Sequence, residues 1–307
     1  MKAARIHRFG PPEVIIIEDV PRPIPTTREV LVRIAAAGVG PWDRLIREGK
    51  SKVSPPPPLT LGSDLSGVVE EVGPGVADFR KGDEIYGVTN PQFCGANAEY
   101  ALASANMIAQ KPRRLGHLES ASMPVVAVTA WQMLFDYADA KVDQTIMILG
   151  AAGNVGSCAV QFAANAGLHV IAIVGSKDIE YVRTLGAQDL VDYQAGEFEK
   201  SVRSVDVVVD TVGGSVRERS FSVLRPGGVL VSVVSAGLLP KRSEVRSVFF
   251  YVEVTTARLN TVSELLDRGK LLPQVGTVLP LAEVRTAHEM LAGSPHKRGK
   301  IVLRVAD

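Results

Sequence analysis

The chain has two cysteines among its 307 residues, Cys94 and Cys158, and no CxxC pair. That excludes a disulfide framework and a cysteine-rich zinc lobe, and makes a reducing cytoplasm the expected location. Charge bias is lacking too. With a formal net charge of +1, nothing draws the chain to nucleic acid or to an anionic membrane surface. The opening "MKAARIHRFGPPEV" has no apolar core of the signal-peptide kind. No apolar run nears the roughly 20 residues needed to cross a bilayer. His7, His117, His169, His288 and His296 show no shared ligand spacing, so the histidines suggest no metal.

What is present falls into three textures. Residues 1–112 carry short β-branched runs ("EVIIIEDV", "EVLVRIAAAG", "SGVVEEVG", "DEIYGV", "AEYALA") separated by proline and glycine turns, which predicts an irregular, mostly antiparallel β domain. Residues 113–261 alternate apolar strands ("TIMILG", "HVIAIVG", "DLVDY", "DVVVDTVG", "GVLVSVV") with helical stretches such as 155–166 and 177–185. Unbroken apolar strands between helices predict a parallel sheet covered on both faces. Residues 262–307 hold two helical stretches and a closing strand, "GKIVLRV", expected to rejoin the first sheet. The first domain is then discontinuous, 1–112 with 262–307, and the fold class is α/β.

The turn Ala151-Ala152-Gly153-Asn154-Val155-Gly156 joins the strand "TIMILG" to a helix. Against G-x-G-x-x-G it keeps the second and third glycines, with Ala151 in place of the first. Gly153 lets a pyrophosphate approach the backbone, Gly156 lets the helix pack closely on the strand, and the helix N-terminus offers N–H groups and a positive dipole end. After the second strand stand Gly175, Ser176 and Lys177 rather than an acid. Glycine leaves room, serine donates a hydrogen bond and lysine supplies a cation, so NADP(H) is expected over NAD(H). Asp178 falls at a helix start, where charge compensation is its simpler role.

The chain resembles the zinc-independent quinone oxidoreductases (zeta-crystallin-like) of the medium-chain dehydrogenase/reductase superfamily. The likeness covers nearly the whole length, through "AAGVGPWDRLIREG", "LGSDLSGVVEEVGPGVADFRKGDEIYG", "GANAEYALA", "MPVVAVTAWQML", "ILGAAGNVGSCAVQFAANAG", "LGAQDLVDY", "VDVVVDTVGG" and "GKIVLRV". The resemblance implies a GroES-like irregular β-barrel catalytic domain and a Rossmann-type doubly wound parallel-sheet cofactor domain. It implies a pyrophosphate on Gly153, Asn154, Val155 and Gly156, and a 2′-phosphate among Ser176, Lys177 and Tyr193. Thr211, Val212 and Gly213 at the end of the fourth strand, Ser235 at the end of the fifth, and the segment Phe250 to Val252 would line the nucleotide path. For Tyr193, Phe249 and Phe250, ordinary packing is the competing role. Where zinc-dependent relatives carry a cysteine and a histidine-glutamate pair, this chain has Gly40 and Ser63-Asp64, so no metal is expected.

Without a Lewis acid, the feasible chemistry is hydride transfer from NADPH to a small-molecule acceptor that is already electron-poor. A quinone is one such acceptor and an activated alkene (an enone, alkenal or acrylate) is another. Trp42, Asp43, Arg47, Ser63 and Asp64 are the candidates for the acceptor's end of the site. Trp42 would stack on a flat ring or pack at a domain interface, and Asp43 with Arg47, at i and i+4, would form an ion pair. Gly40 and Ser51 depart from the family pattern, which keeps open a different class of function: an NADPH-binding sensor or structural protein without turnover. A homodimer is implied, with "GVLVSVV" and "VFFYVEV" pairing across a two-fold axis at a sheet edge.

Overall fold

Short apolar-polar alternation punctuated by glycine and proline folds the first third of the chain into strands. The computed structural model describes residues 1–237 and 243–306. In it β1 (Lys2–Ile6), β2 (Ile16–Asp19), β3 (Glu29–Val39), helix α1 (Pro41–Arg47), β4 (Leu59–Thr60), β5 (Asp64–Val72), β6 (Glu84–Val88), β7 (Tyr100–Ser104), β8 (Ile108–Gln110) and α2 (His117–Ala121) follow in order. β3 is the organising strand, pairing antiparallel with both β5 and β7. Its inward Val30, Val32 and Ile34 join Leu65, Val69 and Ile85 in one core. Its second half turns to alanine and glycine, because α2 lies close above it. A Cβ at Gly38 would come within 2.4 Å of the Ala121 carbonyl.

α3 (Pro124–Trp131) runs into a π-helical stretch, Gln132–Tyr137, before the alternating part begins. There β9 (Thr145–Leu149), α4 (Asn154–Asn165), β10 (His169–Val174), α5 (Ile179–Thr184), β11 (Asp189–Asp192), β12 (Val205–Asp210), α6 (Gly214–Ser220), β13 (Leu224–Ser232) and β14 (Arg246–Phe249) form a six-stranded parallel sheet in the order β11-β10-β9-β12-β13-β14. The order reverses at β9, so β9 and its two neighbours present their carboxyl ends where chain direction switches, the place where open α/β sheets bind ligands. Met147, Leu149, Ile173, Val208 and Leu230 are buried in this unit's core.

The chain ends with α7 (Thr256–Asp267), β15 (Val275–Pro280), α8 (Val284–Leu291) and β16 (Lys300–Arg304). β16 pairs antiparallel with β3, Ile301 opposite Val39, so the closing strand does rejoin the first sheet. Two compact units result: Met1–Val125 with Val254–Asp307, and Val126–Glu253. The changes of texture at 112 and 262 fall inside the first unit. There α2 packs on β3 and β5, and Thr256, opening α7, donates its hydroxyl to the Ile108 carbonyl at 2.7 Å.

The expected pairing of "GVLVSVV" with "VFFYVEV" across a two-fold axis needs correcting. β13 and β14 pair with each other, in parallel, Val231 opposite Val248. β13 is therefore interior, and β14 alone is the sheet edge at that side. Among the described residues no helix is long and apolar enough to cross a membrane.

Candidate functional site

The turn after β9 is built by three glycines, the first of them, Gly150, standing one residue before the motif's first position. Gly150, at φ +71°, takes the left-handed conformation that the first glycine serves, and a Cβ there would lie 2.6 Å from Thr211 Oγ1. Gly153 is the N-cap of α4. Gly156 is where helix and strand touch. A Cβ there would lie 2.2 Å from the Gly150 carbonyl oxygen. No side chain caps α4, so the amides of its first turn keep their donors for a ligand.

At the carboxyl end of β10, Gly175 leads into a 3-10 turn, Ser176–Asp178. Tyr193 arches over it, its hydroxyl 3.3 Å from where a Gly175 Cβ would stand, and its ring is exposed. Ser176 donates its hydroxyl to Asp192 Oδ2 at 2.5 Å and lies 3.1 Å from Gln194 Oε1. Ser176, Lys177 and Tyr193 are thus brought to one place, together with an acid that the strand-end argument missed. It missed Asp192 because the carboxylate arrives from β11, the neighbouring strand, rather than from the end of β10.

At the end of β12 the buried Asp210 accepts from the Val212 amide (3.0 Å), the Gly213 amide (2.8 Å) and Ser232 Oγ (2.7 Å). Those bonds hold the turn that carries Thr211, Val212 and Gly213, which lie just past β12 rather than within it. Thr211 is anchored by donating to the Leu149 carbonyl at 2.7 Å, while Val212 is exposed. Ser235 does not end the fifth strand: β13 stops at Ser232, whose hydroxyl is bound to Asp210, and Ser235 stands exposed three residues on. Phe250 is buried and stacked on Tyr137, ring centroids 4.2 Å apart, so its ring serves packing. Val252, two residues on, is half-buried.

In the first unit the five expected acceptor residues separate. Trp42 donates its indole N–H to Ser63 Oγ at 2.9 Å. Asp64 pairs with Lys300 at 2.8 Å and accepts from the Val125 amide at 3.0 Å. The Lys300 ammonium also lies 4.0 Å from the Trp42 ring centroid, a cation–π contact inside the protein. Asp43 turns back to accept from the Gly40 amide at 2.7 Å. Burial pushes its carboxyl up to about 7 against that hydrogen bond, which favours the charged form. The expected Asp43–Arg47 ion pair does not form. Arg47 points to the Gly10 carbonyl (3.0 Å), His288 Nδ1 (3.1 Å) and Glu48 (3.2 Å). Asp43, Ser63 and Asp64 are 0% exposed and Arg47 1%. Ser63 and, through Lys300, Asp64 hold Trp42, the one half-buried member, while Asp43 and Arg47 are bonded elsewhere in the protein. Lys300, the cation that completes this cluster, lies in the quoted "GKIVLRV", which was readable as a strand of the first sheet while its partner Asp64 was not.

The Alcohol dehydrogenase GroES-like domain family matches residues 26–113, and the Zinc-binding dehydrogenase family matches residues 185–303. The quinone oxidoreductase of Sus scrofa is 31% identical over 322 residues, spanning 99% of this chain and 97% of the relative. The chain belongs to the quinone oxidoreductase family of the medium-chain dehydrogenase/reductase superfamily. Within it, the human protein named NAD(P)H oxidoreductase RTN4IP1, mitochondrial, is 31% identical over 99% of this chain and 89% of its own. The solved quinone oxidoreductase from Coxiella burnetii superposes with a TM-score of 0.92 at 32% identity, covering 100% of this chain and 99% of that one. This family member is accordingly an oxidoreductase that depends on a nicotinamide nucleotide.

The residues fit such a nucleotide. The first-turn amides of α4 carry no side-chain cap, and at Gly153 a Cβ would crowd the Gly150 carbonyl oxygen at 3.2 Å, so glycine keeps the backbone bare where a phosphate would approach. One matching family is described by zinc, and here the residues do not fit. A Cβ at Gly40 would fall 2.3 Å from Trp42 Cη2, so the indole fills the space that a ligand side chain needs. Ser63 and Asp64 already hold Trp42 and Lys300. Among the described residues no group of three or more histidine, cysteine, aspartate or glutamate side chains is placed to hold a metal ion.

Proposed function

We propose that the protein reduces an electron-poor conjugated acceptor, a quinone or an activated alkene, with NADPH and without a metal. The observation that carries this reading is the indole of Trp42 packed against Gly40 and bonded to Ser63, in the position where zinc-dependent relatives gather metal ligands. With no Lewis acid to polarise an alcohol, the acceptor must itself delocalise the developing negative charge onto an oxygen. Bound reduced nicotinamide would supply the hydride.

The chain's own part is binding and orientation. The first-turn amides of α4, at Asn154, Val155 and Gly156, take the pyrophosphate beside Ala152 and Gly153. Gly175, Ser176, Lys177 and Tyr193 take the adenosine end. Thr211, Val212, Gly213, Ser235 and the backbone at Phe250 to Val252 line the path to the nicotinamide. Trp42 offers a flat ring to a flat acceptor, held in place by Ser63 and by Lys300 on Asp64. We further propose a cytoplasmic homodimer joined at the exposed edge of β14.

The test is to titrate NADPH and NADH into the purified protein and follow NADPH oxidation, with chelator present, over 1,4-benzoquinone, 9,10-phenanthrenequinone, an enone and a 2-haloacrylate. Turnover above about 1 s⁻¹ on one acceptor class names the substrate class. Nucleotide binding with no turnover on any of them would leave a binding protein and refute the catalytic reading.

A further inference from the structure

The adenosine end contains a carboxylate poised against the phosphate it is meant to receive. Asp192 closes β11 and lies opposite Val174 of β10, beside the Gly175-Ser176 turn. It is held from both sides: Ser176 Oγ donates to Oδ2 at 2.5 Å, and the Gln194 amide donates to Oδ1 at 2.8 Å. Gln194 in turn accepts from the Ser176 amide at 3.2 Å. The Ser176 hydroxyl first, and the Gln194 amide second, keep the Asp192 carboxyl below its usual range, so it is anionic at neutral pH. A serine hydroxyl has one proton to donate. Spent on Asp192, it is not available to a 2′-phosphate.

We propose that Asp192 is the residue that sets nicotinamide specificity in this chain, opposing the 2′-phosphate of NADPH and accepting from the ribose hydroxyls of NADH, so that the preference for NADPH is shallow. This rests on the reading above that this end of the parallel sheet binds the adenosine half of the nucleotide. A carboxylate accepts from hydroxyl groups but repels a phosphate dianion, and at this exposed position the repulsion is worth about tenfold in affinity.

The experiment measures dissociation constants of NADPH and NADH by intrinsic fluorescence for the unaltered protein, Asp192→Asn and Ser176→Ala, with melting curves to verify folding. Asp192→Asn should strengthen NADPH relative to NADH by about tenfold, an advantage that shrinks as salt is raised. Ser176→Ala, which removes a donor already spent on Asp192 and frees that carboxylate to accept from a ribose hydroxyl, should strengthen NADH relative to NADPH. A role in local structure alone would move both nucleotides together. If the unaltered protein binds both nucleotides and their ratio is the same in Asp192→Asn, the proposal is overturned. If the unaltered protein binds neither, the nucleotide reading itself fails and takes the proposal with it.

Discussion

Arg47 and His288 make a protonation demand that can be tested by acid alone. Arg47 Nη1 donates to His288 Nδ1 at 3.1 Å, with Arg47 1% and His288 0% exposed. A guanidinium only donates, so Nδ1 must carry a lone pair and the ring hydrogen must sit on Nε2. Burial first, and the neighbouring Arg47 charge second, push the imidazole from an ordinary 6.5 down to about 3. The folded state therefore refuses a proton that the unfolded chain accepts below pH 6.5. This contribution to stability is complete above pH 6.5 and is lost as pH falls from 6.5 towards 3. At about 1.4 kcal/mol per pH unit, a fall from neutrality to pH 5 removes about 2 kcal/mol.

The perturbation is His288→Gln, which keeps an acceptor for Arg47 and does not titrate. Unfolding free energies would be measured in urea at pH 7.5 and pH 5.0, followed through Trp42 in a Trp131→Phe background so that the signal comes from the first unit. The difference between parent and variant should shrink by about 2 kcal/mol at the lower pH. Equal pH dependence in the two proteins would refute the argument, since the burial of a neutral imidazole would then contribute nothing to acid lability.

Two further changes probe the nucleotide turn and the buried cluster. Gly156→Ala drives a methyl into the Gly150 carbonyl, 2.2 Å away and part of the backbone. It should abolish nicotinamide nucleotide binding in titration and lower the melting temperature, as an overpacking cost of about 1–3 kcal/mol requires. Lys300→Met strands the Asp64 carboxylate, which burial pushes up and Lys300 pulls back. It should cost about 3–5 kcal/mol at pH 7.5, with the loss shrinking as pH falls because protonation relieves the stranded charge, and part of it should return on adding Asp64→Asn, whose amide oxygen still accepts from Val125.

Much of this was readable in one dimension because it depends on neighbours in sequence. Apolar runs such as "TIMILG" and "DVVVD" can be buried only inside a sheet covered on both faces, and β9 and β12 are that. The strand-turn-helix at 145–165 is likewise local: a strand, a small-residue turn and a helix start are all written in consecutive residues. The phase of the motif was not. Gly150 rather than residue 151 carries the positive φ, a matter of backbone angle that residue spacing does not fix.

The residue pattern by itself determined an α/β protein with a β-rich discontinuous unit, and it located the glycine turn between β9 and α4. What only tertiary structure decided is which charged groups meet. Asp43 and Arg47, four residues apart on α1, diverge to Gly40 and His288, because both are buried and each takes the partner that satisfies it best. Asp64 and Lys300, 236 residues apart, meet because β5 and β16 flank β3 on opposite sides. Asp192 reaches Ser176 because β11 is β10's parallel neighbour. A buried or half-buried charge selects its partner across strands, at distances in sequence that no local pattern encodes.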